Sequence, residues 1–376
     1  MKIGFVIDDT LDKPDGVQQY VLTLGSWFSS KGHEVHYLAG QTARTDVPNV
    51  HSLSHNLHVR FNQNRLSVPR SSNTQNIKQL LEQEQFDILH VQMPYSPLMA
   101  GRIIKLAPKR TAIVGTFHIV PFSFIERVGG KLLGLWQWRN LKRLDQVVSV
   151  SVPAQQFAKS AMGLTSKVLP NVVNARLYQT GKKLNKYDDG KINIVFLGRL
   201  VERKGAMQLL KAAEILHAKK QLDNVRLLIC GKGPLEKQLK VFVHENRLSS
   251  HVHFEGFISE ADKPDYLASA HISVFPSLGG ESFGIVLIEA MAAGSETVLG
   301  GNNIGYQSVL GTNSDQLIDT LDSESFAKQL HHFVVNSQSR RRTANWQQKH
   351  VMQYDVATVG EQLLHIYERV IAKKSR

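Results

Sequence analysis

Two glutamates eight residues apart mark the segment GGESFGIVLIEAMAAG, residues 279–294. From Ile285 to Ala293 this segment is apolar on every side of a predicted helix except at Glu289, which is typical of a buried helix that contains one acid. A buried carboxylate needs a partner because it has lost the hydration that water gives. Two kinds of partner are open at this point: the hydroxyl groups of a ligand, or a buried lysine or arginine.

The spacing of the two acids suits an extended ligand. At a rise of about 1.5 Å per residue, Glu281 and Glu289 are at most roughly 12 Å apart along a helix. That distance is comparable with the span from a sugar ring across a diphosphate to a ribose. The hypothesis is that Glu281 contacts a transferred sugar, that the amides at the helix N-terminus contact the phosphates, and that Glu289 accepts hydrogen bonds from the ribose diol.

Three cations follow an earlier apolar run in the segment GRLVERKG, residues 198–205. Arg199, Arg203 and Lys204 stand between a predicted strand and a predicted helix, where they could clamp a diphosphate. The alternative is a basic turn that faces solvent. The sequence has no Asp-x-Asp pair of the kind that bridges a nucleotide through a divalent cation, so we expect no metal ligand and no cofactor.

The elements that must position these residues alternate between short apolar runs and helical stretches. KIGFVID, GVQQYVLTLGSWFSSKG and EVHYLAG begin the series, and INIVFLG, AMQLLKAAEILHAKK and VRLLICG repeat it in the second half. This alternation predicts an α/β fold of two doubly wound domains, with ligands beyond the carboxyl ends of the strands. The polar tract 54–76 predicts a long loop, and the tail from Trp346 is predicted to be helical.

The composition of the 376-residue chain limits its location and its partners. The single Cys230 and an N-terminus without a signal-peptide pattern favour a cytoplasmic protein, or one peripheral at the inner face of the plasma membrane, and no run is long enough for a membrane span. The net charge is +13, of which +10 falls in residues 1–190. An excess of this size suggests an anionic partner: nucleic acid, a membrane surface or a phosphorylated substrate.

The segment 119–144 combines aromatic and basic residues in the more basic half. Such a segment can lie on anionic lipid, with the aromatic rings at the interface. The alternative is an ordinary helix that packs on the sheet and turns a basic face to solvent. The residues concerned are Phe122, Phe124, Trp136 and Trp138, with Arg127, Lys131, Arg139, Lys142 and Arg143.

These motifs resemble those of the retaining GT-B glycosyltransferases of family 4. The segment GGESFGIVLIEAMAAG with GRLVERKG upstream is similar to the family's paired-glutamate signature, and DGVQQYVLTL, FDILHVQMPYSP, VGTFH, SVSVPA and LPN extend the resemblance over nearly the whole chain. It is closest to the branch that contains bacterial phosphatidylinositol mannosyltransferases. The resemblance implies a GT-B fold, in which two Rossmann-like domains face each other across a cleft.

The resemblance also implies roles for individual residues. His118, Glu281, Arg199 and Lys204 match catalytic positions, although a histidine that closes an apolar strand is more often structural. Gln18 and Asn62 match contacts to the acceptor head group. A carboxylate at Glu260 can accept from two guanine nitrogens, which favours a GDP-sugar. The donor-binding positions are Gly16, Arg199, Lys204, Glu260, Glu281, Ser282, Phe283, Gly284 and Glu289.

The expected domains are an acceptor-binding domain (1–172), a nucleotide-sugar-binding domain (173–350) and a C-terminal helix that returns to the first domain (351–376). The expected reaction is retaining transfer of a hexose, mannose or glucose, from a nucleotide diphosphate sugar to the hydroxyl group of a lipid such as phosphatidylinositol. Three alternatives stay open: a soluble glycosyltransferase with a small-molecule or glycan acceptor, a sugar-nucleotide epimerase, and a basic noncatalytic nucleic-acid-binding protein. The last is disfavoured, because no helix-turn-helix, zinc or RNA-binding motif is present.

Overall fold

The computed structural model describes residues 1–13, 15–61, 64–121 and 124–374, and these form two compact units. Unit 1 comprises Met1–Val172 and Val356–Arg376, and unit 2 comprises Val173–Asp355. Each unit is an α/β domain built on its own parallel sheet, so the predicted fold class is confirmed. Within the described residues, no helix combines the length and the apolar character needed to cross a bilayer.

The first segment of unit 1 supplies a sheet of seven parallel strands in the order β3-β2-β1-β6-β7-β8-β9. Helices cover both faces, and the strands are therefore apolar almost throughout. The strand order reverses between β1 and β6, which is where parallel sheets open a crevice for ligands. The elements are β1 (Lys2–Ile7), α1 (Gly16–Ser30), β2 (Glu34–Ala39), β3 (Val50–Ser52), β4 (Ser54–Phe61), β5 (Asn64–Ser72), α2 (Thr74–Glu84), β6 (Ile88–Gln92), α3 (Met99–Leu106), β7 (Ala112–Phe117), α4 (Phe124–Leu141), β8 (Gln146–Ser149), α5 (Val152–Met162) and β9 (Lys167–Val168).

Unit 2 has a six-stranded parallel sheet in the order β12-β11-β10-β13-β14-β15, so its order reverses between β10 and β13. Its elements are α6 (Ala175–Gln179), β10 (Ile192–Leu197), α7 (Ala206–Ala218), β11 (Val225–Cys230), α8 (Glu236–Glu245), β12 (Val252–Gly256), α9 (Lys263–Ala268), β13 (Ile272–Phe275), α10 (Ile285–Ala292), β14 (Thr297–Gly301), α11 (Ile304–Leu310), β15 (Leu317–Ile318), α12 (Ser323–Val335) and α13 (Ser337–His350).

The tail of the chain is helical, as the sequence predicts, and it consists of two helices. After α13 a 3-10 turn covers Val351–Tyr354, and α14 (Val356–Lys374) then completes unit 1. The break lies at Asp355, whose backbone is extended and whose carboxylate accepts a hydrogen bond from the amide of Ala175 at 3.0 Å. A carboxylate that accepts from a distant amide helps to fix the extended backbone at Asp355, and helix periodicity does not reveal such a contact.

The prediction of a long loop over residues 54–76 was wrong. Strands β4 and β5 pair in antiparallel register as a separate two-stranded sheet, and α2 begins at Thr74. The register shifts between His55 and Asn56, opposite Pro69, which cannot donate a ladder hydrogen bond. A polar hairpin with an irregularity gives little alternation of apolar and polar residues, so the period-2 signal of a strand is weak there.

Candidate active site

The ends of β10 and β13 bring the two predicted motifs of unit 2 together. Arg199 follows β10, and a 3-10 turn, Glu202–Lys204, leads into α7. The loop after β13 carries Ser277 and then leads through Glu281 into α10. Because β10 and β13 are neighbours in a parallel sheet, both loops leave from the same edge.

Glu281 is held by three donors on one carboxylate oxygen. Its Oε1 lies 2.8 Å from Arg203 Nη1, 2.8 Å from Lys204 Nζ and 2.9 Å from Ser277 Oγ. Burial alone would raise the pKa of Glu281, but the charges of Lys204 and Arg203 outweigh it and hold the pKa below its ordinary value. The carboxylate is therefore ionised at neutral pH.

The cluster of Glu281, Arg203 and Lys204 carries one negative and two positive charges. The excess cation lies beside the start of α10, whose first amides favour an anion. The resemblance assigns no site role to Arg203, but the structure shows that Arg203 contacts Glu281 as closely as Lys204 does. This arrangement can bind a phosphate group and stabilise negative charge that develops on it.

Two glycines give the loops around this cluster their shape. Gly284 caps α10 at φ 117°, and a Cβ there would lie 2.6 Å from the ring of Tyr306. Gly205 has φ 75°, and a Cβ there would lie 1.9 Å from the carbonyl oxygen of Pro276. A side chain is excluded at both positions. Ser282 lies in the loop before α10, and Phe283 is buried with its ring edge-on to Tyr354 at 5.4 Å.

Glu289 is buried in α10 and pairs with a buried lysine. Lys263 Nζ lies 3.1 Å from Glu289 Oε1 and 2.7 Å from Glu260 Oε2. The pKa of Glu260 is raised, first by burial, and burial together with the charge of Glu289 raises the pKa of Tyr178. The lysine partner that the sequence left open is thus present. Since a carboxylate has about four acceptor positions, the contact of Glu289 with a ribose diol stays a prediction.

In unit 1 the predicted residues that the structure describes lie after β7 and in the first turn of α1. His118 follows β7, its Nε2 lies 2.7 Å from Gln92 Oε1, and burial lowers its pKa to about 3, so the ring is neutral. Gly16 is the first residue of α1. Gln18 is buried and donates from Nε2 to the carbonyl oxygen of Thr10 at 3.0 Å, while Asn62 lies outside the described residues. The acceptor contacts of both stay predictions.

One group of potential metal ligands exists among the described residues, and it is remote in sequence from the predicted site. It consists of His36, His51 and Glu84, on β2, β3 and α2. Lys2 already forms an ion pair with Glu84 at 2.9 Å. None of the site predictions involves these residues.

Both units match models of glycosyltransferase families. The family "Glycosyltransferase Family 4" matches residues 14–177, and "Glycosyl transferases group 1" matches residues 179–350. The chain is 30% identical to the phosphatidyl-myo-inositol mannosyltransferase of Mycobacterium leprae, over 100% of this chain and 99% of the relative. It is also 30% identical to the protein of that name from Mycolicibacterium smegmatis, over 98% and 94% of the two chains.

Solved structures share the fold over nearly the full length. A glycosyltransferase from Rickettsia africae superposes with a TM-score of 0.74 at 16% identity and covers 98% of each chain. Anabaena HepE, solved in complex with UDP and glucose, gives a TM-score of 0.72 at 19% identity over 98% of this chain and 100% of its own. At these identities the likeness concerns the fold alone.

Proposed function

Because the chain belongs to the family of GT-B glycosyltransferases that includes the phosphatidyl-myo-inositol mannosyltransferases, we propose that it transfers a hexose with retention from a nucleotide diphosphate sugar to a membrane lipid. GDP-mannose is the favoured donor, and the hydroxyl group of a phosphatidylinositol is the favoured acceptor. The acceptor oxygen attacks the anomeric carbon, the bond from that carbon to the diphosphate breaks, and the departing phosphate oxygen takes the acceptor proton.

The observation that carries the proposal is the contact of Glu281 with two cations at the start of α10. With a nucleotide diphosphate sugar bound, Arg203 and Lys204 would stabilise the negative charge that develops on the leaving diphosphate. They are already oriented by Glu281, so little reorganisation would be needed during the reaction. Arg199, at the end of β10, would add a further cation. No step requires a metal ion, and we expect transfer to continue in the presence of EDTA.

Thermal unfolding with nucleotides tests the donor. Only a ligand that binds the folded protein raises its melting temperature. We expect GDP and GDP-mannose to raise it, and UDP and ADP to have a smaller effect, since Glu260 suits guanine. The double variant Arg203→Gln, Lys204→Gln should lose the shift, and the surface variant Lys219→Gln should keep it. If no nucleoside diphosphate changes the melting temperature, the proposed donor site is contradicted.

The lipid acceptor is supported by the exposed face of α4. Leu132, Leu135 and Trp136 are 64%, 72% and 70% exposed, and Lys131 and Arg139 are exposed on the same helix. Large apolar side chains at the surface, flanked by cations, are what an interfacial helix presents to anionic lipid. A helix with only a solvated basic face would not leave these apolar side chains uncovered.

Liposome co-sedimentation tests this surface. We expect binding to vesicles of phosphatidylcholine with phosphatidylinositol, weaker binding to phosphatidylcholine alone, and a decrease as salt rises. The double variant Leu135→Ser, Trp136→Ser should bind poorly. Leu321→Ser is the matched control, because Leu321 is 85% exposed in unit 2. Equal sedimentation of wild type and double variant would contradict the lipid surface and favour a soluble acceptor.

Product analysis separates the remaining alternatives. With radiolabelled GDP-mannose and phosphatidylinositol, the proposal requires label in the lipid fraction with the α-anomeric configuration retained. Label in a water-soluble glycan would identify a soluble glycosyltransferase. Conversion of the donor without any acceptor would identify an epimerase. Salt-sensitive binding of nucleic acid with no turnover would identify the noncatalytic alternative.

A further inference from the structure

Gln92 contacts the predicted catalytic histidine from the next strand of the sheet. It is the last residue of β6, and its register partner on β7 is Thr116, two residues before His118. Its Oε1 lies 2.7 Å from His118 Nε2, and its Nε2 lies 3.3 Å from the carbonyl oxygen of His90. Gln92 is fully buried and His118 is 7% exposed, so water does not substitute for either contact.

The backbone fixes which way the Gln92 amide faces. A carbonyl oxygen has no proton to donate, so the atom of Gln92 that faces the His90 carbonyl must be the amide nitrogen. The opposite orientation would place two acceptors against each other. The amide oxygen therefore faces His118, and a hydrogen bond between them requires a proton on His118 Nε2.

We propose that Gln92 is a positioning residue that holds His118 in the Nε2–H tautomer, so that Nδ1 offers a lone pair to a hydroxyl group of the donor sugar. A neutral imidazole carries one proton, and a proton on Nε2 leaves Nδ1 as an acceptor. The ring plane is held as well, because the Tyr20 ring packs edge-on against it with the centroids 5.1 Å apart. Burial keeps the ring neutral, which excludes protonation of both nitrogens near pH 7.

The consequence for the reaction rests on the proposed function. An acceptor nitrogen can bind a sugar hydroxyl only when that hydroxyl donates, and the oxygen then gains electron density. The other tautomer would offer a proton instead and would bind the same hydroxyl in the opposite sense. Gln92 thereby determines that the sugar hydroxyl donates to His118 rather than accepts from it, although Gln92 itself does not contact the sugar.

Nitrogen NMR of the full chain with labelled histidine tests the tautomer directly. In neutral imidazole the protonated nitrogen and the bare nitrogen have well-separated shifts, and His118→Gln identifies the relevant signals by their loss. We expect Nε2 to be protonated and Nδ1 bare in the wild type. Gln92→Leu should give a mixture of tautomers. A bare Nε2 in the wild type, or an unchanged tautomer in Gln92→Leu, would overturn the proposal.

Kinetics test the effect on transfer. Gln92→Leu should lower kcat about 10- to 100-fold and leave the affinity for GDP unchanged, because Gln92 contacts neither of the proposed phosphate-binding cations, Arg203 and Lys204. Gln92→Glu, while its buried carboxyl is protonated, keeps an oxygen acceptor for His118 and an O–H donor for the His90 carbonyl, so it should restore the Nε2–H tautomer. Gln155→Leu is the control, since Gln155 also donates to a backbone carbonyl, that of Ser166 at 2.6 Å, away from His118.

Donors with fluorine in place of one hydroxyl give an independent readout. Fluorine cannot donate a hydrogen bond, so replacing the hydroxyl that His118 binds should slow transfer by the wild type relative to GDP-mannose. The same replacement should slow transfer less in Gln92→Leu and His118→Gln, which have already lost that contact. An equal relative loss in all three proteins at every position would contradict the contact. If the tautomer is as expected but no nucleotide sugar is turned over, the proposed function fails and the role of Gln92 in setting the tautomer stands.

Discussion

One carboxylate oxygen of Glu281 accepts three hydrogen bonds, and this predicts the effect of a substitution at Glu281. The Glu281→Gln side chain keeps an oxygen acceptor but loses the charge that orients Arg203 and Lys204. We expect transfer to fall at least about 100-fold, the scale seen when a preorganised charge contact is lost. Both cations are about a quarter exposed, so stability should fall by only about 1–2 kcal/mol.

Enzyme assays with thermal unfolding on the same samples measure both effects. Glu324→Gln provides a matched control, because Glu324 pairs with Lys219 at 2.8 Å on the surface. That variant should keep full activity. An active, folded Glu281→Gln protein would mean that the acid has no part in catalysis.

Asp8, which follows β1, makes the free energy of unfolding of unit 1 depend on pH. Its carboxylate is buried and accepts hydrogen bonds from Ser96 Oγ and, at 2.7 Å, from the amide of Ala100. Burial raises its pKa to about 6. Between about pH 4 and pH 6 the folded chain keeps a proton that the unfolded chain has lost, so the free energy of unfolding falls as the pH rises through this window.

The Asp8→Asn variant has no such ionisation. Relative to the wild type, it should gain stability between pH 4 and pH 6 by a total of about 3 kcal/mol, and the difference should be constant above pH 6. Urea unfolding at half-unit intervals of pH measures this difference. If the two proteins lose stability in parallel, the carboxylate is already ionised at pH 4 in the folded state.

Residue types and their order were predictable from the sequence, whereas their partners were not. The apolar run that contains Glu289 indicates a buried acid, and β13 and α10 place it as expected. Its partner Lys263 lies 26 positions earlier on another helix, and no local pattern indicates that contact. The same holds for Gln92 and His118, which also lie 26 positions apart, at the ends of neighbouring strands. Such pairs depend on tertiary packing.

At the scale of elements, glycines determine how closely α4 approaches α5. A Cβ at Gly134 would lie 2.9 Å from the carbonyl oxygen of Ala161 and 2.9 Å from Met162 Cγ, whereas a Cβ at Gly129 would meet no atom within 4 Å. Small residues thus keep one face of α4 against α5 and leave the apolar and basic face exposed.

The same substitution at these two glycines should therefore have opposite effects. Gly134→Ala should destabilise the protein by about 1–3 kcal/mol through overpacking. Gly129→Ala should stabilise it by up to about 1 kcal/mol, because alanine favours the helix. Denaturant midpoints measure both effects. Changes of the same sign would show that α4 does not pack on α5 in solution as described.

The sequence also predicted the regular elements better than the irregular ones. Strands β10 and β11 and helix α7 follow strong apolar periodicity, and each lies where that pattern places it. The hairpin of β4 and β5 and the break at Asp355 have weak or mixed patterns. Their geometry is fixed by cross-strand pairing and by one carboxylate–amide contact, both of which are non-local.

At the scale of the whole molecule, α14 supplies unit 1 with part of its core. Val359, Leu363, Ile366 and Val370 are buried, and the Tyr367 ring stacks on Phe28 with the centroids 5.3 Å apart. Burial of an apolar side chain contributes about 1.5–3 kcal/mol, so these residues together contribute on the order of 10 kcal/mol. That sum is comparable with the stability of an entire domain.

Deletion of residues 356–376 should therefore unfold unit 1 and leave unit 2 folded around its own core. Hydrogen exchange followed by mass spectrometry distinguishes the units: peptides from 1–172 should lose protection, and those from 173–355 should keep it. A deletion that begins after Ala372 removes only the end of α14 and should leave both protected. Full protection of 1–172 in the long deletion would show that α14 is dispensable.

The return of the last helix to the first unit also sets an order for biosynthesis. Residues 1–172 leave the ribosome long before α14 does, so the nascent first unit has an uncovered apolar surface beside α1 until α14 emerges. Unit 2 has its whole core available earlier. Newly made chains should consequently depend on chaperones mainly for their amino-terminal half, although that half is synthesised first.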